Sequence, residues 1–286
     1  MKNKTKIGLV IDSTTTLSKD IIKDYGVEVV SLNIHTAHFD KKEVDVTDEE
    51  IFEELHDLKN IKTSSPSPYD FTMAFERLFA AGFKHVVAIP LSKGLSSTYN
   101  SALLAASDFE GKVTVIDTNI GNYGLANIIE STLFMLEDAS TTAQTYVEAL
   151  KQRVSTCDLT FTLTELKHLV NGGRLSRVAG LMGTLLKIKP MIKFDKEGKL
   201  FLAAKEFLMS SVIANFTEMV NKFAKAYKNV FVKIVDMNKN SVALAIIESL
   251  KKLKGNIKIS RISTVRPTFH IHVGKFGFGI TATAFN

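Results

Sequence analysis

The chain of 286 residues has no tryptophan and a single cysteine, Cys157, which excludes an internal disulfide and a disulfide-stapled scaffold. Its seven histidines are dispersed; the close pairs His35-x-x-His38 and His270-x-His272 lack a third ligand and an acidic partner at ligand spacing, so no metal site is expected. Nucleotide loops are missing as well. Neither G-x-G-x-x-G nor G-x-x-x-x-G-K-[ST] occurs, Gly172-Gly173-Arg174 follows a helix instead of joining strand to helix, and Gly121-Asn122-Tyr123-Gly124 lacks the third glycine of the dinucleotide fingerprint. These glycines read as turn and close-packing positions. No apolar run approaches the roughly 20 residues that span a bilayer. Lys2, Lys4 and Lys6 precede a run from Ile7 to Asp12 that is too short for a signal-peptide core, and the expectation is a soluble cytoplasmic protein.

The excess of 36 basic over 30 acidic residues gives a net charge of +6. The lysines are spread in small groups, such as Lys251-Lys252-Leu253-Lys254 and the helically spaced Lys222, Lys225 and Lys228, with Glu248 and Glu218 within a turn of them. Without a nucleic-acid motif beside them these are solvated helix faces, and nucleic acid is not expected as a partner. Transient contact with an anionic membrane is compatible with the charge.

Apolar segments alternate in character. Ile7–Ile11, Val27–Ile34, His85–Ile89 and Val113–Ile116 read as strands, and the helices between them begin near Ser18, at the capping box Thr47-Asp48-Glu49-Glu50 and at Ser67. This is the pattern of a parallel sheet covered on both faces. After about residue 155 the texture changes. Leu159–Leu163 is strand-like, Glu165–Val170 helical, and Asp195-Lys196-Glu197-Gly198 joins a hairpin. Helices over 208–227 and 240–254 alternate with strands Val230–Val235 and Ile257–Ile262, and Phe269–Ala284 reads as strand interrupted by glycines. The expectation is an α/β protein of two domains, 1–155 and 156–286.

Two hydroxyl-rich stretches stand before helices. Thr63-Ser64-Ser65-Pro66-Ser67 leads into a helix with Ser67 as N-cap and Pro68 at its first position, and Leu91-Ser92-Lys93-Gly94-Leu95-Ser96-Ser97-Thr98-Tyr99 follows the strand ending at Ile89. Serine before a helix is ordinarily a cap. Together the stretches also offer hydroxyls and backbone N–H groups to one small anion, at the strand ends where open α/β sheets collect ligands.

These stretches resemble two motifs of the DegV family of bacterial fatty-acid-binding proteins, TSQPS and LSSGLSGTYQSA. Asp12-Ser13-Thr14, the run from Leu166 to Phe194 and His272-Val273-Gly274 match the family in order, so the resemblance spans nearly the whole chain. It implies a two-domain fold with one long-chain fatty acid in a buried tunnel between the domains. The carboxylate would be held by Thr63, Ser64, Ser96 and His272, with Leu181, Met182, Leu185 and Leu186 as candidate tunnel residues. It further implies a carrier without chemistry or cofactor of its own, a monomer that presents the acid to a fatty acid kinase for acyl-phosphate formation and phospholipid synthesis, with Arg174 on the docking surface. Two departures bear on this. Phe207 stands where kinase-coupled members carry arginine, and Lys275-Phe276 replaces the usual proline-glycine after the histidine.

The alternative is an enzyme acting on a small phosphorylated or acyl substrate at the same Ser-rich helix starts. A hydrolase would use Ser96 as nucleophile and His272 as base, but no G-x-S-x-G elbow is present and nothing nominates a third member.

Overall fold

The computed structural model describes residues 1–175, 188–237, 241–262 and 265–286. Strands β1 (Ile7–Asp12) and β2 (Val27–Val30) belong to a four-stranded parallel sheet, while β3 (Asn33–His35), β4 (Asp40–Lys42) and β5 (Lys62–Ser64) form a small antiparallel one. Strands β6 (His85–Ile89) and β7 (Val113–Val115) complete the parallel sheet in the order β2-β1-β6-β7. The chain thus winds outward in both directions from the β1/β6 boundary. That boundary is a topological switch point, where the loops leaving the two strand ends diverge and open a crevice.

Alternation along β1 sends Leu9 and Ile11 to one face and Val10 to the other, and all three are buried because both faces are covered. Helices α1 (Lys19–Tyr25) and α2 (Asp48–Glu54) start at side-chain caps from Ser18 and Thr47. Helices α3 (Pro68–Ala80) and α4 (Thr98–Ala106) pack with Val10, Val86 and Ala88. Phe71, Phe75 and Leu78 of α3 are the apolar stripe.

Helix α5 (Asn122–Glu130) is buried along its length, with Leu125, Ile128 and Ile129 in the core that includes Leu9 and Ile89. With α6 (Ala143–Ser155) it lies on the second sheet. That sheet is built from β8 (Cys157–Leu163), β9 (Lys189–Phe194), β10 (Leu200–Glu206), β11 (Asn229–Asp236), β12 (Asn256–Ile262) and β13 (Gly277–Phe285), ordered β10-β9-β8-β13-β11-β12. Only the β11/β12 pair among these is parallel. Helix α7 (Lys167–Asn171) follows β8, while α8 (Met209–Ala226) and α9 (Ser241–Leu250) flank β11 in sequence. Among the described residues, no helix is long and apolar enough to cross a membrane.

Two expected elements differ. The strand expected over 27–34 is divided between two sheets, because Leu32 N–H donates to Ser13 Oγ and Leu32 C=O accepts from Glu43 N–H, which diverts the backbone from the parallel ladder. The strand expected from Phe269 begins at Gly277. Residues Pro267–Val273 form helix α10, with Arg266 extended at its N-cap and Pro267 suited to the first turn, and it ends at Gly274 with φ +86°. His270 and His272 therefore point to different sides, instead of sharing a strand face. His38 and His35 have acidic neighbours, Glu54 at 2.7 Å and Asp40 at 3.0 Å. No group of three metal-ligating side chains occurs among the described residues.

The β9/β10 turn seats against the loop after β6. Ser92 Oγ donates to Gly198 C=O at 2.9 Å, and a Cβ on Gly94 would lie 2.5 Å from the backbone of Glu197 and Gly198. Backbone cannot step aside as a side-chain tip can. Gly94→Ala is expected to lower the unfolding free energy by about 1–3 kcal/mol in urea melts, as overpacking does. An unchanged midpoint would show that the turn is not seated there.

Candidate functional site

The crevice at the switch point is closed by a buried carboxylate. Asp12, at the end of β1, accepts from Leu91 N–H at 2.5 Å, from Thr14 N–H at 2.9 Å and from the Thr14 hydroxyl. Burial nevertheless dominates and raises its pKa to about 6, against the hydrogen bonds from Thr14 and Leu91 that lower it. Glu43, also fully buried, accepts from the Ser13 hydroxyl and, at 2.8 Å, from Thr268 N–H at the start of α10. Two carboxylates thus tie together the loops of β1 and β6 and the helix that carries His272.

Around this frame lies a cavity lined mainly by apolar side chains. Leu159, Phe161 and Phe278 of the second sheet form one wall, and Leu91, Leu95 and Tyr123 lie on the side of the first. At the polar end stand Thr63, Ser96, Arg174 and His272. The hydroxyl of Thr63 is 3.2 Å from His272 Nε2, although the two residues are 209 positions apart. Ser65 Oγ is 2.9 Å from both Ser96 Oγ and Ser97 Oγ, and Ser96 Oγ is 2.9 Å from Thr98 Oγ1 at the positive end of α4.

Local structure decides which hydroxyls face inward. Ser67 is consumed as the cap of α3, in a capping box with Asp70. Strand alternation puts Thr63 opposite the buried Ile34, while Ser64 faces the other way, exposed, and bonds His35 Nε2 at 2.9 Å and Asn33 Nδ2 at 3.1 Å. Ser64 therefore stands apart from the cavity. Ser97 occupies the N-cap position of α4 without a capping bond, and its hydroxyl turns to Ser65 instead.

Arg174, expected on the surface, is half-buried against the cavity, donating through Nε to Leu95 C=O and through a terminal nitrogen to Gly172 C=O. It is the one arginine or lysine among the described lining residues. Phe207, by contrast, is two-thirds exposed. Leu181, Met182, Leu185 and Leu186 lie outside the described residues. Burial first, then the charge of Arg174 and the neighbouring His168, depress the His272 pKa to about 3, so the imidazole is neutral at physiological pH.

Sequence reasoning missed Gly172. A Cβ there would lie 2.5 Å from His272 Nδ1, so the absence of a side chain makes room for the ring. Read along the chain, this glycine looks like a helix stop; its partner is 100 residues away, and no local pattern announces it. The Ser96 hydroxyl is bonded to Ser65 and Thr98, and His272 to Thr63, an arrangement that holds a polar group better than it activates a nucleophile.

The family model described as an uncharacterised protein of the DegV family matches residues 6–284. A DegV domain-containing protein of Staphylococcus aureus strain COL is 29% identical over 281 residues, 96% of this chain and 98% of the relative. One from Halalkalibacterium halodurans is 30% identical over 282 residues, 97% and 98% of the two chains. The solved structure of a DegV family protein from Thermus thermophilus, described as binding fatty acid, superposes with a TM-score of 0.85 at 24% identity, covering 98% of this chain and 99% of the other. DegV of Bacillus subtilis, described as a fatty acid binding protein, gives 0.82 at 22% identity, covering 97% and 99%. At those identities the superpositions speak for a shared fold. Matched by the family model from residue 6 to residue 284, the chain belongs to the DegV family.

Proposed function

We propose that this protein binds one long-chain fatty acid, with the carboxylate at Thr63, Ser96, Arg174 and His272 and the acyl chain in the apolar cavity. The observation that carries this reading is the cavity's make-up: a mainly apolar lining that also includes the hydroxyls of Thr63 and Ser96, one neutral imidazole and one guanidinium. Each buried methylene contributes about 0.8 kcal/mol, so the tail supplies most of the affinity. The head-group residues supply selection, at about 1.5–3 kcal/mol for each hydrogen bond to an ionised carboxylate. The fatty acid binding described for the Thermus thermophilus and Bacillus subtilis proteins supports the same ligand class. The protein is then a carrier, and its natural partner is a fatty acid kinase that receives the carboxylate at the cavity edge and forms an acyl phosphate for phospholipid synthesis. The half-buried position of Ser96 beside the exposed Ser97 supports such a hand-over.

Organic extraction of gently purified protein, followed by mass spectrometry, is expected to yield close to one fatty acid per chain. With delipidated protein, Ser96→Ala and Arg174→Gln are expected to weaken palmitate binding several-fold while scarcely changing binding of hexadecanol. Equal losses for acid and alcohol would remove these residues from carboxylate recognition. Extraction without lipid, together with no rise in melting temperature on adding palmitate, would overturn the ligand class.

The neutral His272 sets a pH dependence with a definite sign. Its folded pKa, depressed to about 3, lies below the unfolded value of 6.5, so between these limits the unfolded chain holds more protons than the folded one. Stability from this residue is complete above pH 6.5 and is lost progressively as pH falls toward 3. Asp12 works in the opposite sense between about 6 and 3.8, since its folded pKa is raised. His272→Asn is expected to flatten the loss of stability between pH 6.5 and about 4 by up to one proton in the linkage slope, measured by denaturant melts at each pH. An unaltered slope would mean that His272 titrates normally in the folded state.

A further inference from the structure

Besides Thr63, Ser96, Arg174 and His272, the cavity lining carries polar groups that an aliphatic chain cannot satisfy. Asn122 is 1% exposed; its Oδ1 accepts from the Thr16 hydroxyl, which orients the amide so that Nδ2 is left as a donor with no partner among the described residues. Asn122 also sits in the left-handed region at φ +52°, a conformation asparagine tolerates and bulkier residues rarely adopt. Thr268 is 5% exposed; its backbone N–H is taken by Glu43, and its hydroxyl has no partner among the described residues. The phenol of Tyr123 is buried against Gly279, where a Cβ would lie 2.4 Å from the oxygen, and burial pushes its pKa up. All three residues line the same cavity. Native interiors rarely leave groups such as Asn122 Nδ2 and the Thr268 hydroxyl unpaired, and two of them on the lining of one cavity are a place for a complementary polar atom.

We propose that the cavity is built for fatty acids that carry an oxygen on the acyl chain, a hydroxyl held by Thr268, Asn122 and Tyr123; this rests on the fatty-acid reading above. Geometry sets its position. Thr268 and His272 are four residues apart on α10, hence on one face and roughly 6 Å apart along its axis. Carbon–carbon bonds of about 1.5 Å advance an extended chain by roughly 1.3 Å per methylene. An oxygen at Thr268 therefore belongs near the fourth to sixth carbon when the carboxylate is at His272. A hydroxyl suits the wall because it can accept from Asn122 Nδ2 while donating to Thr268, whereas a plain tail would leave both of these atoms unpaired.

The test is competition for the delipidated full-length protein among palmitate and hexadecanoic acids hydroxylated at C2, at C5 or at C12. The C5 isomer is expected to bind about three- to tenfold more tightly than palmitate, the value of one well-made hydrogen bond. Thr268→Val, which keeps side-chain shape and the Glu43 contact, and Tyr123→Phe are each expected to reduce the ratio of C5-hydroxy acid to palmitate affinity toward one. Reading the ratio within each variant separates recognition from any general loss of fold. If palmitate binds and no hydroxylated isomer exceeds it, the proposal is overturned. It is also overturned if the ratio survives both variants, or if Thr268→Val tightens palmitate while hydroxylation has no effect, as a resident water on the wall would cause. Failure of palmitate itself to bind would overturn the fatty-acid reading, a result distinct from these.

Discussion

The architecture depends on carboxylates placed where two loops would otherwise part. The switch point between β1 and β6 splays the strand-end loops, which creates the crevice and also removes the backbone partners those loops would have had in a ladder. Asp12 replaces them, accepting from Leu91 and Thr14, and Glu43 does the same for Ser13 and Thr268. A charged acceptor inside the protein is costly, and burial raises the pKa of Asp12 in keeping with that cost. What the arrangement secures is registration: the loop with Ser96 and the helix with His272 come from different parts of the chain, yet both are anchored beside the same β1 loop.

Elements with strong local causes are legible in the sequence. Strand β6 begins and ends where its apolar run does, and the Thr47 and Ser67 capping boxes start their helices at the expected residues. The three residues Thr63, Ser96 and His272, named from the resemblance, lie together on one cavity. Misreadings arise where a distant partner overrules local pattern. Strand-like residues around His270 form a helix because Pro267 and Gly274 bracket them, and the 27–34 run breaks because Ser13 and Glu43 claim Leu32. Ser64 stands apart from the cavity for a reason local structure supplies: in β5 it alternates with Thr63, which faces Ile34 and lines the cavity.

The electrostatics of the polar end favour holding an anion without consuming it. A protonated histidine would add charge, but Arg174 and burial together exclude the proton, leaving His272 as a neutral hydrogen-bonding group with its tautomer free to suit Thr63 or a ligand. The guanidinium then stands as the cation, already engaged with the carbonyls of Leu95 and Gly172, so its position is set before any ligand arrives. Preorganisation of this kind reduces the ordering cost of binding.

A cavity between the second sheet and the loops that leave the first has to admit its occupant, and the contacts at its rim differ in how readily they part. The core cluster that includes Leu9, Ile128 and Leu159 joins residues of both sheets, and separating it would expose a large apolar area. The seat of the β9/β10 turn on the loop after β6 is smaller and rests on Ser92 donating to Gly198 and on the close approach at Gly94. One hydrogen bond contributes only about 0.5–1.5 kcal/mol net, so local opening at this seat is far less costly than parting the core. The same loop carries Ser96 at its far end. On the proposed fatty-acid reading, a motion that loosens the seat would also relax Ser96, coupling access to the cavity with release of the carboxylate.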